Sequence, residues 1–496
     1  MRPKTVIVIG AGVGGMVAAA HLARGGHKVI VFEKNDGAGG RCDRLVREGR
    51  RFDTGPTLLV MPLIYEAEFA ALNSSMHEHL QLQRVDPTYH LVFDDGRQLA
   101  LTSDLVQMKK QLESIEKGSF RGLLRYLEEG QRHYHLGTEK LVRRDFRKAS
   151  EFIKLSHLPL LYQLKPLAKH YANMSAYFDH PHLKAAFTFQ DVYMGLSPFE
   201  APATFSMMPY TELAHGVWYP QGGMYSIAEA LYSLACQAGV EFIFDVEVEG
   251  IRVSGDRVLG VELPDHGHLE ADVIVANADL PYVYQELLPP NDLSRNLTRK
   301  RYSCSAISFL WGLDKPYESL PAHSLFLAED YEVNFKSIIQ DLDIPANPSL
   351  YVHSPAALDP AQVPPGKGTL IAVVPVGHLS DEGEKDWGAT LDLARQHVFR
   401  RLAQVGISDL EAHIELETAF TPLYWRKRYN LVKGSTHGLC HNLMQLGYFR
   451  PSNRHPHYQN LYFAGASTHP GTGLPTVMVS GRLTAQRVMD DLLSQP

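Results

Sequence analysis

An α/β fold built on a buried parallel sheet, with a second α+β unit interleaved along the chain, is predicted by three observations. The N-terminus passes from an apolar, β-branched run through a glycine-rich turn into an alanine-rich helix. Two further segments of strand-and-glycine character begin near residues 216 and 455, so the first unit must be assembled from distant parts of the chain. The length, 496 residues, also exceeds a single core at roughly 150 residues per domain.

Thr5–Ile9 is wholly apolar after its first residue, as expected of a central strand buried on both faces. It leads into Gly10-Ala-Gly12-Val-Gly14-Gly15, a helix over 16–24 stopped by Gly25-Gly26, and a second strand, Lys28–Phe32, ending on Glu33. Gly10 suits the tight turn, Gly12 lets backbone approach a pyrophosphate, and Gly15 lets helix and strand pack closely. The helix N-terminus offers unpaired N–H groups to phosphates. Glu33, 18 residues beyond Gly15, is positioned to accept hydrogen bonds from a ribose. A glycine motif alone is weak evidence. Strand, turn, helix, second strand and terminal acid in order make a Rossmann-like dinucleotide unit.

The chain continues through Lys34, Gly39-Gly40-Arg41 and Phe52-Asp53-Thr54-Gly55-Pro56. An arginine behind a Gly-Gly pair can return to a pyrophosphate as a planar charged fork. This tandem resembles the amine-oxidase-like flavoproteins, and the resemblance implies FAD held without a covalent bond. By that likeness Gly10, Gly12, Gly14, Gly15, Glu33 and Lys34 bind the dinucleotide, as do Gly40, Arg41, Thr54, Gly55 and Pro56. Val246 and, from the C-terminal segment, Gly465, Gly473 and Leu474 complete the set. No second G-x-G-x-x-G follows a strand, so no separate nicotinamide site is expected.

The FAD unit is expected over 1–65, 216–295 and 455–496, with a helix over 226–237, strands over 240–244, 246–253, 258–263 and 272–277, and a closing helix to residue 493. The substrate unit is expected over 66–139, 190–215 and 296–454, with residues 100–215 mostly helical in pattern. It carries later strands over 305–310 and 369–374 and a helix over 389–405. Residues 140–189 form a helical region apart. Over 140–170, Lys140, Arg143, Arg144, Arg147, Lys148, Lys154, Lys165 and Lys169 face only Asp145 and Glu151. Apolar residues interleave with them, among them Phe146, Phe152, Ile153, Leu155, Leu158, Leu161, Tyr162 and Leu167. That pairing suits an anionic membrane surface.

Hydrophobic residues at 45% and charged residues at 21% exclude a disordered or fibrous chain. A net charge of −7 gives no global basic field for nucleic acid. The four cysteines stand far apart, which speaks for a reducing compartment, and no apolar run is long enough to span a bilayer. A cytoplasmic protein lying peripherally on the inner face of the cell membrane is expected. His-x-His pairs at 133/135, 266/268 and 455/457 lack nearby paired carboxylates or cysteines, so no metal is expected.

Residues 460–480, with the core Gly465-Ala-Ser-Thr-His469-Pro-Gly471-Thr-Gly473, are similar position by position to the bacterial-type carotenoid desaturases (phytoene dehydrogenases). Within that family, Leu-Glu-Ser-Ile-Glu at 112–116, Gly-Gly-Met-Tyr at 222–225 and Tyr-Ser-Cys-Ser-Ala at 302–306 most resemble dehydrosqualene (diapophytoene) desaturases. The resemblance implies insertion of conjugated double bonds into a long isoprenoid hydrocarbon, C30 favoured over C40, with oxygen or quinone as electron acceptor. A polyene has no polar handle to protonate, so alignment against the cofactor in a dry tunnel is the protein's task. Glu151, matched loosely to the family, and His469, beside the C-terminal loop, are the candidate proton acceptors. A carotenoid isomerase, a terminal-methyl oxidase and a non-catalytic flavin-bearing membrane protein remain as alternatives.

Overall fold

The computed structural model describes residues 2–152, 154, 157–264, 267–381 and 385–494. Ile153, Leu155 and His266 lie outside the described residues. A five-stranded parallel sheet runs Leu461–Phe463, Val273–Ala276, Thr5–Ile9, Lys28–Phe32, Glu241–Ile243. Period-two alternation gives the sheet two apolar faces. Val6 and Val8 pack with the helices Val13–Arg24, Tyr225–Gln237 and Leu474–Leu493. Ile7 and Ile9 pack with a three-stranded antiparallel meander, Gly250–Ser254, Arg257–Leu263 and Gly267–Glu270.

The first helix is buried along Val13–Ala20 because the closing helix lies against it. A Cβ on Gly481 would stand 2.3 Å from the Gly14 carbonyl, so the two helices cross almost backbone to backbone. The expected strand over 246–253 begins only at Gly250. Asp245 is left-handed (φ 57°) and the Val246 N–H donates to the Glu33 carbonyl at 3.0 Å. Those residues wrap the end of the second strand instead of pairing in the meander.

A second, seven-stranded mixed sheet runs Ile414–Phe420, Ser305–Leu313, Gly368–Val376, Leu350–His353, His323–Leu327, Tyr89–Phe93, Gln98–Leu101. The hairpin over 89–101 was not foreseen, because a five- and a four-residue strand in a helix-rich region give little periodicity. Helices Ser119–Gly137 and Met207–Ala214 pack together beside this sheet.

Residues 140–170 divide by face. Phe146 meets the His469 ring edge-on at 5.6 Å, Phe152 stacks on Tyr448 at 6.0 Å, and Leu164 is buried. Leu158, Leu161, Tyr162 and Leu167 are exposed, Tyr162 by 85%. Arg147 is tied to Asp490 (2.6 Å) and Asp145 (3.2 Å), and Arg487 of the closing helix meets Asp145 at 2.8 Å. Lys140, Arg143, Arg144, Lys148 and Lys154 point to solvent. Among the described residues no helix is long and apolar enough to cross a membrane.

Candidate functional site

A single cavity of ≈ 540 Å³ runs from the C-terminal ends of the parallel strands onto the second sheet. Ligand sites in open α/β sheets fall at such strand ends. Gly10, Gly12, Gly14, Glu33, Lys34, Gly40, Arg41, Thr54, Gly55 and Pro56 line it. Val246, Gly465, Gly473 and Leu474 line it too. Gly15 does not: a Cβ there would meet the Gly10 carbonyl at 2.3 Å, so its role is close packing of helix on strand.

Two helix N-termini open on the cavity. The helix Val13–Arg24 follows Gly12 and the closing helix follows Gly473 (φ 103°); neither has a side-chain cap, so their first N–H groups are available to an anion. Gly55 cannot carry a side chain, since its Cβ would fall 1.9 Å from the Arg41 carbonyl. The buried Glu33 carboxylate accepts from Ala11 N–H at 2.8 Å and from Asn35 N–H and Nδ2 at 3.0 and 2.8 Å. Burial raises its pKa while these donors oppose the rise. Arg41 donates to the Thr436 carbonyl at 2.7 Å. Among the described residues no carboxylate lies within ion-pair distance of it, and burial lowers its pKa. A cation without an ion pair on the cavity wall, together with two helix N-termini that open on the cavity, fits the pyrophosphate of a dinucleotide. Lys34 turns its ammonium away, to Asn430 Oδ1 at 2.6 Å and the Lys427 carbonyl at 3.1 Å.

Three cavity residues escaped the sequence. Asn277, at the end of the strand Val273–Ala276, donates Nδ2 to the Ala464 carbonyl at 2.9 Å and holds Oδ1 where Gly12 and Gly15 would have Cβ atoms. Asp279 accepts from Ser467 Oγ at 2.6 Å and Val432 N–H at 3.2 Å, and burial raises its pKa. His437 is pushed down to about 4 by burial and by the nearby Arg41 charge. The strand-end position was a usable signal for the first two; His437, in an irregular loop, offered none.

Neither candidate proton acceptor lines the cavity. Glu151 accepts from the Arg147 N–H at 2.9 Å, which with the local positive charge holds its pKa low. His469 sits behind the C-terminal loop, its imidazole pushed to about 4 by burial. The remaining wall is mostly apolar. Leu325, Leu327, Val373 and Pro375 come from the second sheet, and Phe189, Val192, Met207 and Met208 from the helical side. Most residues behind the dehydrosqualene likeness face elsewhere. Asp53 accepts from the N–H groups of Met224 (2.8 Å) and Tyr225 (3.1 Å), so Gly222–Tyr225 clasp a buried carboxyl pushed up to about 6 by desolvation. Of 302–306 only Ala306 reaches the cavity.

The family model for flavin-containing amine oxidoreductases matches residues 13–489. A phytoene desaturase of Fusarium fujikuroi is 40% identical, covering 98% of this chain and 90% of its own length. A 4,4'-diapophytoene desaturase (4,4'-diaponeurosporene-forming) of Staphylococcus haemolyticus is 32% identical over 98% and 99%. Among solved structures, putrescine oxidase shares the fold at a TM-score of 0.67 with 12% identity, covering 98% of this chain and 99% of that one. With the cradle and its mostly apolar extension in one cavity, the chain belongs to the flavin-containing amine oxidoreductases, in their carotenoid desaturase branch, and is a FAD-binding oxidoreductase.

Proposed function

We propose that the protein desaturates a colourless C40 isoprenoid hydrocarbon of the phytoene type, and the C30 diapophytoene less readily. The observation that carries this reading is the cavity itself: one continuous space joins the dinucleotide cradle to an apolar wall. The C40 preference rests on the higher identity to the phytoene desaturase, 40% against 32%. Gly222–Tyr225, one of the three stretches behind the C30 likeness, do not line the cavity, which weakens the support for C30.

Bound FAD supplies the hydride acceptor. The chain's own residues do the rest. The two helix N-termini and Arg41 fix the phosphates, and Glu33 the ribose. Leu325, Leu327, Val373 and Met208 hold the polyene by apolar contact and exclude water. Contact of this kind discriminates by only about 1–3 kcal/mol per methylene, so both chain lengths are accepted. Electrons leave to oxygen or a quinone. The exposed apolar side chains Leu158, Leu161, Tyr162 and Leu167, flanked by free basic residues, support docking on the anionic inner face of the cell membrane, where such substrates dissolve.

Incubation with phytoene and diapophytoene separately, followed by absorption and mass spectra of the extracts, tests the reading. Coloured products containing only carbon and hydrogen, formed faster from phytoene, are expected. Added oxygen would make the protein a terminal-methyl oxidase, and an isomerised polyene without oxidation would make it an isomerase. Bound FAD that no polyene reduces would leave a binding protein.

A further inference from the structure

One of the polar side chains on the sheet wall of the cavity, Tyr351, is hydrogen-bonded to a buried imidazole. Leu325 pairs directly with Tyr351 across the strands His323–Leu327 and Leu350–His353, and His323 with His353, so all four side chains share a face. Tyr351 lines the cavity. Its Oη stands 2.8 Å from Thr57 Oγ1, the residue following Pro56 of the cradle, and 2.7 Å from His323 Nδ1. His323 is 1% exposed and stacks on His353 at 4.5 Å with 6° between the planes. His353 donates Nδ1–H to the Ala322 carbonyl at 2.8 Å and is therefore the Nδ1-protonated tautomer. Nε2 of His323 is buried with no hydrogen-bond partner among the described residues. Tyr351 joins the cofactor cradle, the substrate wall and a buried imidazole at one point.

Resting on the desaturase reading, we propose that Tyr351 and His323 are the proton-accepting pair of the reaction, Tyr351 touching the substrate and His323 acting through it. When hydride leaves an allylic C–H with its electron pair to the oxidised flavin, the substrate carbon becomes cationic. The electron pair of the adjacent C–H bond then closes the new double bond. The proton released goes to Tyr351 Oη as the phenol's own proton passes to His323 Nδ1, and the imidazolium later returns it to solvent. The proton on an allylic cation is so acidic that a neutral imidazole in a dry site is base enough. Burial, which holds the His323 pKa well below 6.5, keeps that imidazole neutral and ready. Thr57 orients the phenol by donating to its oxygen.

The holoenzyme tests this with Tyr351→Phe and His323→Asn. The asparagine oxygen still accepts from Tyr351 but takes no proton, so a purely orienting role would leave its rate intact. In anaerobic single turnover both variants should form conjugated product on the order of 100-fold more slowly. FAD content and the affinity of the flavin-free protein for a conjugated polyene, read from its absorption shift, should stay within twofold of wild type. Either variant desaturating within threefold of wild type overturns the pair. Should Tyr351→Phe fail to fold, His323→Asn decides alone. An independent reading needs no turnover: ¹⁵N-histidine spectra of the flavin-free protein should show His323 neutral and unprotonated at Nδ1. A proton on Nδ1 overturns the proposal even if desaturation is confirmed, whereas a wild type that oxidises no polyene overturns the desaturase reading instead.

Discussion

Glu33 combines two tasks in one carboxylate: it pins Ala11 and Asn35 and faces the cavity. Glu33→Ala should weaken FAD binding by about 1.5–3 kcal/mol, the range for hydrogen bonds to a charged acceptor. Gel filtration should strip flavin from the variant while wild type stays yellow; equal retention would mean that Glu33 does not hold the ribose. Glu212, behind the cavity wall, is a different case. It accepts one hydrogen bond from Gln190 at 2.9 Å, and burial pushes it up to about 8. The folded protein therefore binds a proton that the unfolded chain, titrating near 4.5, releases. Stability should fall as pH rises from 4.5 to about 8, by on the order of 1 kcal/mol per unit from this group. Glu212→Gln should flatten that slope in urea titrations run across the window; an unchanged slope would assign it to other groups. Glu33 was legible because its position is defined along the chain from Gly15. Glu212 was not, because its shift comes from burial, which only the folded packing around it creates.

Among the elements, the first and closing helices depend on each other. Their crossing leaves no room for a Cβ at Gly481, and the closing helix also brings Gly473 to the cofactor cradle. Gly481→Val should force the helices apart, lowering stability by about 1–3 kcal/mol and loosening FAD at the same time. Thermal melts with and without added FAD check this, and a variant that melts like wild type would mean that the helices adjust freely. The sequence announced the closing helix through Pro475 and its apolar face. It could not announce the crossing, because Gly14 and Gly481 meet only after both helices have packed on one face of the sheet.

For the whole molecule, the basic segment shows what charge counting misses. All eight of its cations look equivalent in sequence, yet Arg147 is bound to Asp145 and Asp490 and serves the fold. Reversal to glutamate should therefore spare Arg147 and target Lys140, Arg143, Arg144 and Lys148. Such a variant should keep its FAD and lose sedimentation with anionic vesicles, and salt should mimic the effect on wild type, since exposed charges are screened over roughly 8–10 Å at physiological ionic strength. Sedimentation indifferent to both would make this an ordinary solvated face.

The sequence alone determined the dinucleotide fold, because its signals are local: strand, glycine turn, helix and acid follow one another within thirty-three residues. It also marked most of the cofactor cradle, since close backbone approach demands glycine whatever surrounds it. Only the tertiary structure decided which residues meet the substrate. Part of the apolar wall and Tyr351 come from strands of the second sheet, and strand pairing, not chain order, sets which of their side chains share a face. Folding likewise leaves Glu151 and His469 off the cavity lining and clasps Gly222–Tyr225 around Asp53. A glycine or an acid beside a turn can be read from its neighbours in the chain; the chemistry of a cavity wall belongs to residues that become neighbours only on folding.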